Sequence, residues 1–222
     1  MTSAKISRWV WGGIALAASI LIFVVPFAFI VLNASKTREE AQLFSFSWPE
    51  RFQAWENFIA VLQANDFMIF RAFGNSIALT VFSVTILVLF AAMASWIIER
   101  RGGVVAKLAN ALVLVGLMIP PALVPTIFLL QSIGIYGTFP SMVLVEIAFN
   151  TSFTIMIFRS FISTIPRELD EAAIIDGANS IQLFFAIVFP LLRPILVTAI
   201  ILNSVFVFND FVNPLYFLPG EG

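Results

Sequence analysis

Long apolar runs govern what this sequence can fold into. Residues 9–32, 74–98, 108–130, 142–162 and 184–208 each read as a stretch of more than 20 residues with few charges. At 1.5 Å of rise per residue, each is long enough as a helix to cross ~30 Å of hydrocarbon. Barrel strands would be shorter and would alternate apolar with polar residues, which these runs do not. A helix satisfies its backbone hydrogen bonds internally, so a bundle of helices tolerates the few polar groups inside these runs. The fold class expected is therefore all-α: a polytopic transmembrane helical bundle with five spans.

The rest of the composition narrows the function. Hydrophobic residues make up 60% of the chain and charged residues only 11%, against about 25% in ordinary soluble domains. A soluble fold would leave much of this apolar surface facing water. There is no cysteine and no histidine, so disulfides, thiolate chemistry and the commonest neutral-pH acid–base group are all excluded. No metal site is expected. The net charge of −1 supplies no basic face for nucleic acid. No GxxxxGK[ST] phosphate cradle occurs; Gly102-Gly103 and Lys107 have the wrong spacing.

Basic residues orient the bundle. With the N terminus in the cytoplasm, Lys5, Arg8, Arg100, Arg101, Lys107, Arg159, Arg167 and Arg193 fall inside, and Lys36, Arg38, Arg51 and Arg71 outside. The eight-to-four bias favours this arrangement. Lys5 and Arg8 precede the first apolar run much as in a signal peptide, but the run is long and lacks a small-residue cleavage pattern, so it reads as a retained span. Prolines 26, 120, 121 and 125 lie within apolar runs and are candidates for kinks or breaks. The organisation expected is a first span over 1–32, an external loop with an interfacial helix over 33–73, a core over 74–213, and an external tail over 214–222. The aromatic Phe44-to-Pro49 stretch and the helical spacing of Trp55, Phe58, Ile59 and Leu62 fit either an interfacial anchor or a surface for an external partner.

The most informative segment lies on the cytoplasmic side in this orientation. It reads IPRELDEAAIIDGANSIQLFFAIVFPLLRP from Ile165 to Pro194. Pro166 can open a helix, Gly177 can supply a turn, and Asn179 with Gln182 three residues later forms a capping-box pattern. The residues describe a helix–turn–helix bracket. Small Ala172, Ala173 and Ala178 would let a second protein approach, while Glu168, Asp170, Glu171 and Asp176 could meet basic groups. An ordinary solvated connection between helices is equally compatible with these residues.

This segment resembles the signature loop of ATP-binding-cassette importer permeases. Its Glu171-Ala172-Ala173, then Asp176-Gly177-Ala178, then Pro190 and Pro194 carry the likeness. Gly74-Asn-Ser-Ile77, Ile119-Pro120-Pro121 with Gly134 and Thr138, and Val207-Phe-Asn-Asp-Phe-Val-Asn213 extend it in the same order. The chain is similar to the carbohydrate-importer branch, and most to the smaller permease of maltose-type systems. The resemblance implies a type I importer permease with a sixth span that this sequence lacks, making 214–222 a truncated tail. It implies a second, non-identical permease subunit, two ATP-binding subunits carrying ATP and Mg, and an external solute-binding protein. No cofactor is expected on this chain, nor any enzyme activity. It implies sugar or polyol import across a bacterial or archaeal plasma (inner) membrane. Loop 165–183 would then couple to the ATPase, with Glu171 pairing with a basic group or backbone amides, Ala172 and Ala173 packing closely, Gly177 forming the turn and Asp176 bracing it.

Within the spans, Glu146 and Asn150 share a helix face, and an ionisable group there should face protein or a water-filled path. Glu146, Asn150, Asn203, Asn209 and Asp210 are candidate translocation-path residues; bonding between helices is the competing reading. Two other functions fit the same residues: an ion-coupled transporter using Glu146, or a membrane scaffold whose bracket recruits a cytoplasmic partner.

Overall fold

In the computed structural model, residues 3–219 are described, and all secondary structure among them is helical. The side chains of Lys5 and Arg8 and the expected tail residues 220–222 lie outside the described residues. The chain forms two compact units, residues 1–73 and 74–222.

The first unit opens with α1 (Ser3–Ser19), a π-helical turn (Ile20–Val24) and α2 (Val25–Ala34). Pro26 sits at the start of α2, just after the wide turn. Proline lacks an N–H and crowds the preceding turn, and a π turn is one way the helix absorbs this. The expected disturbance of the first span at Pro26 is thus present. Residues Trp11–Ala34 form a candidate span.

The connection after α2 is folded tightly on itself. Thr37 and Glu40 form a reciprocal capping box on α3 (Arg38–Ala41). Lys36 is only 1% exposed, and its Nζ donates to Ser45 O at 2.5 Å. Asn57 Nδ2 donates to Ala34 O and Lys36 O at 2.9 Å each. Lys36, one of the four basic residues assigned to the outer side, is therefore a buried strut of the loop. Helix α4 (Ala54–Arg100) starts in this unit and is interrupted at Ala64–Phe67, where Asn65, Asp66 and Phe67 have φ of 48°, 60° and 59°. Consecutive left-handed residues end one helix before the next begins.

In the second unit, α4 runs on to Arg100 and is joined by α5 (Val104–Met118), α6 (Leu123–Ser132) and α7 (Phe139–Ile162). The expected third span is broken: α5 and α6 bend by 119° across residues 119–122, where Pro120 and Pro121 cannot continue the hydrogen-bond ladder. The expected fifth span is also divided. A first leg, Ser180–Leu191, bends by 78° into α11 (Arg193–Asn209), with Pro190 and Pro194 flanking the corner. The leg comprises α9 (Ser180–Gln182), a π turn (Leu183–Val188) and α10 (Phe189–Leu191). Among the described residues, three helical segments are long and apolar enough to be candidate spans, α4 with its interruption included, and the number reaches five when each bent pair is taken as one.

The core of this unit gathers Leu87, Ala92, Phe158, Ile162, Phe184 and Leu192, all nearly or fully buried. Polar links cross it. Ser95 Oγ donates to Ile155 O at 3.0 Å, joining α4 to α7. Thr154 Oγ1 donates to Asn203 Oδ1 at 3.2 Å, joining α7 to α11. Such bonds contribute about 0.6–1.7 kcal/mol each inside a membrane bundle, where apolar contact with lipid is as good as contact with protein. The expected tail, 214–222, starts inside a short helix, α12 (Val212–Phe217). Phe217 is fully buried, and Tyr136 Oη donates to Tyr216 O at 2.8 Å.

Candidate functional site

Two features of the second unit carry chemistry: the bracket between α7 and α11, and a polar cavity beside α7.

The bracket begins with α8 (Glu168–Ile175). Gly177 follows at φ +87°, and the N–H groups of Gly177 and Ala178 donate to Ile174 O and Ala173 O at 3.0 and 2.9 Å. This pair of bonds is the Schellman ending, which needs a left-handed residue just past the helix. Asn179 then caps α9: its Oδ1 accepts from Ile181 N and Gln182 N at 3.0 and 2.9 Å, and Gln182 Oε1 accepts from Asn179 N at 3.0 Å. The capping box read from the sequence is therefore formed. Gly177→Val should cost roughly 1–2 kcal/mol, because a β-branched residue resists φ > 0. Amide exchange of Ala178 and Gly177 should accelerate in that variant, and unchanged protection would refute the cap's role.

The faces of α8 differ from the expectation in one respect. Glu171, Ala172, Asp176 and Gly177 are exposed, whereas Ala173 is 5% exposed and packs into the chain's own core. A helix turns 100° per residue, so adjacent alanines cannot both face outward here. Ala173 therefore serves this fold, and the outward face adds Ile174 and Ile175, the latter 84% exposed. Asp176 takes part in the turn through its backbone as the helix C-cap.

The inward face is held by charges. Asp170 Oδ2 lies 2.6 Å from Arg100 Nε, with both side chains largely buried. The contact is an ion pair without hydrogen-bond alignment, since Arg100 Nε has no hydrogen-bond partner. Arg100 Nη2 donates to Ile165 O at 3.0 Å, and Arg167 Nη2 donates to Glu99 O at 3.2 Å. Glu99 Oε2 accepts from Arg159 Nη2 and Nε at 3.0 and 3.2 Å, and Arg159 Nη1 bonds Asn110 Oδ1. This latch ties α4, α5, α7 and α8 together at one end of the bundle. Arginines beside the last carbonyls of α4 and α7 also suit the helix termini. From the sequence these arginines serve only as orientation markers; their partners lie 49 to 70 residues away and leave no local signal.

The polar cavity has a volume of about 460 Å³ and is lined in part by Glu146, Asn150, Asn209, Asp210 and Asn213. Four of the five candidate path residues are thus brought together. Asn203 is not among the lining residues: it is fully buried, bonded to Thr154 and, through Nδ2, to Ala199 O at 2.8 Å. It serves as a link between helices. Asn213 joins the site, with Nδ2 donating to Glu146 Oε1 at 3.2 Å. A second cavity of about 610 Å³ follows the break between α5 and α6 and shares Pro121 and Phe149 with the first. No cluster of three or more potential metal-ligating residues occurs among the described residues.

Comparison with known proteins gives a consistent result. Residues 88–222 match the family described as binding-protein-dependent transport system inner membrane component. The melibiose/raffinose/stachyose import permease protein MelC of Bacillus subtilis is 37% identical over 154 residues, covering 68% of this chain and 56% of that protein. The probable ABC transporter permease protein YurM of the same organism is 30% identical over 96% of this chain and 72% of its own length. The diacetylchitobiose uptake system permease protein NgcG of Streptomyces coelicolor is 31% identical, over 88% of this chain and 64% of its own length. A solved bacterial ABC transporter involved in import of the acidic polysaccharide alginate matches with a TM-score of 0.85 at 17% identity, covering 100% of this chain and 78% of that one. That likeness establishes the type I importer permease fold, all-helical as the sequence suggested.

Proposed function

Because the chain belongs to the binding-protein-dependent transport system inner membrane component family, we propose that it is a permease subunit of an ATP-driven importer for sugars or related polyols. Its bracket passes the closure of an ATPase subunit to the helices. One observation carries this reading: α8 is latched inward by Arg100–Asp170 while its outer face, with Glu171, Ala172 and Ile175, stays open. An element fixed to its own helices and bare on the other side is suited to receive a partner's push and transmit it. The latch spreads that push over α4, α5 and α7. Glu171 meets a basic or amide group of the ATPase, and Ile174 and Ile175 bury apolar surface there. The N terminus and the bracket lie in the cytoplasm; Arg100, Arg159 and Arg167 gathered at the bracket end support this.

The partners in this reading are a second permease subunit, two ATP-binding subunits that hold ATP and Mg, and an external solute-binding protein. The sugar permeases among the relatives support the substrate class.

The test is uptake by proteoliposomes holding the assembled complex, with its binding protein and a sugar panel. Wild type should show ATP-dependent uptake. Glu171→Ala should lower uptake per ATP hydrolysed about tenfold while the complex still assembles. Uptake driven by an ion gradient with no need for ATP, or no uptake by a verified complex, would defeat the importer reading.

A further inference from the structure

The hydrogen-bond directions in the polar cavity restrict its ligand. Asn150 Nδ2 donates to Glu146 O at 2.9 Å and to Glu146 Oε2 at 3.3 Å. Asn209 Nδ2 donates to Val205 O at 2.9 Å, and Asn213 Nδ2 donates to Glu146 Oε1. Backbone carbonyls and the two carboxyl oxygens of Glu146 fix these carboxamides with their nitrogens toward protein. Their oxygens are the ends left for a ligand. Asp210 Oδ1 accepts from Val212 N and Asn213 N, which holds this carboxylate at the cavity. The polar wall is therefore rich in acceptors, and no lysine or arginine is among the described residues that line it. The apolar wall includes the rings of Phe149 and Phe206, each braced edge-to-face by Phe217 and Phe153 at 6.2 and 6.4 Å.

We propose that this cavity is a subsite, within this chain, for a neutral hydroxyl-bearing sugar ring, and that it discriminates against anionic sugars. The inference rests on the importer reading above. Sugar hydroxyls supply the donors that the carboxamide and carboxylate oxygens lack. The C–H face of a pyranose ring matches an aromatic face. A carboxylate-bearing ring brings more acceptors and a negative charge beside Asp210, with no cation to receive it. Repulsion of this kind gives selectivity by penalising the wrong ligand. The volume lies within the ~300–1,000 Å³ of ordinary small-molecule sites. The polysaccharide moved by the solved structural relative is acidic, so the proposal separates this chain from that transporter in substrate charge while sharing its fold.

The experiment uses the assembled complex in proteoliposomes with its binding protein. The panel contains neutral oligosaccharides, raffinose and diacetylchitobiose among them, and an alginate-derived trisaccharide. A neutral sugar should enter at least about tenfold faster than the uronate. Asn150→Ala and Asn209→Ala should each raise its uptake KM about tenfold, the equivalent of one or two lost hydrogen bonds. A second readout does not depend on transport. The chain has no native cysteine, so Val205→Cys, at a lining position outside the proposed side-chain contacts, offers a single labelling site on this chain within the assembled complex. Neutral sugar should slow its reaction with a maleimide, and the uronate should not. Uronate uptake equal to or faster than neutral uptake, a KM within twofold of wild type in both alanine variants, or labelling indifferent to sugar would each overturn the subsite. Absence of ATP-driven uptake of any solute would instead overturn the importer reading.

Discussion

Replacing Asp170 with alanine is expected to destabilise the bundle by about 2–4 kcal/mol. Removing one member of a buried ion pair typically costs ~3–5 kcal/mol, because the remaining charge is stranded. Each partner here retains 12% side-chain exposure, so solvent screens part of the penalty. Arg100 would keep its bond to Ile165 O, but its Nε has no other hydrogen-bond partner to replace the lost carboxylate. Asp170→Asn should cost less, since the shape is kept and only the charge is lost. The informative control removes both charges: Arg100→Met with Asp170→Leu should recover most of the loss, as apolar replacements of whole buried pairs often do. Unfolding of the purified complex in mild detergent, followed by Tm, checks the series. A Tm for Asp170→Ala equal to wild type would show that the latch does not hold the bracket. If the bracket does transmit force, Asp170→Ala should also lower uptake per ATP in complexes that remain assembled, whereas the double apolar variant should restore it.

The bracket illustrates what a sequence can carry and what it cannot. Gly177 and the Asn179–Gln182 box were legible because caps are local: the residues that bond lie within five positions of one another. The inward turn of Ala173 was not legible. Over eight residues, α8 shows exposed isoleucines on one side and a buried aspartate on the other, the reverse of the usual pattern. The reversal follows from Arg100, which lies 70 positions earlier and makes Asp170 the inward residue. Prolines 120 and 121 marked the third span for a disturbance, yet a proline pair states only that the ladder stops. The 119° bend is set by what α5 and α6 pack against. The polar residues divided in the same way. Glu146 and Asn150 were linked by helical spacing, whereas Asn213 reached the site only through the turn at Asp210. Asn203 was drawn into the core by Thr154, a partner on another helix.

The packing of that broken span leads to the second large effect. Gly116, one turn before the break, lies against α7 so closely that an added Cβ would sit 2.3 Å from Ser152 Oγ and 3.4 Å from Ser152 Cβ. Small residues permit such approaches between membrane helices, where dispersion contacts supply much of the attraction. The nearest obstacle is a hydroxyl that can rotate away, so Gly116→Ala should be tolerated within about 1 kcal/mol, the lost Ser152 rotamer being partly offset by alanine's better helix propensity. Ser152→Ala removes the obstructing oxygen and should make Gly116→Ala neutral; the double-mutant cycle should show coupling of roughly 0.5–1 kcal/mol. Gly116→Leu has no such escape. Its branched end must displace α5 from α7, at a cost of about 1–3 kcal/mol or more for overpacking, and Ser152→Ala should not rescue it. The displacement would open the cavity that follows the break, since Gly116 and Ser152 both line it. The expected signature is therefore a lower Tm together with faster maleimide labelling of a cysteine placed at Ala148, which lines the same cavity. A Gly116→Leu protein with wild-type Tm and labelling would mean that α5 does not need this approach to hold the broken span against α7.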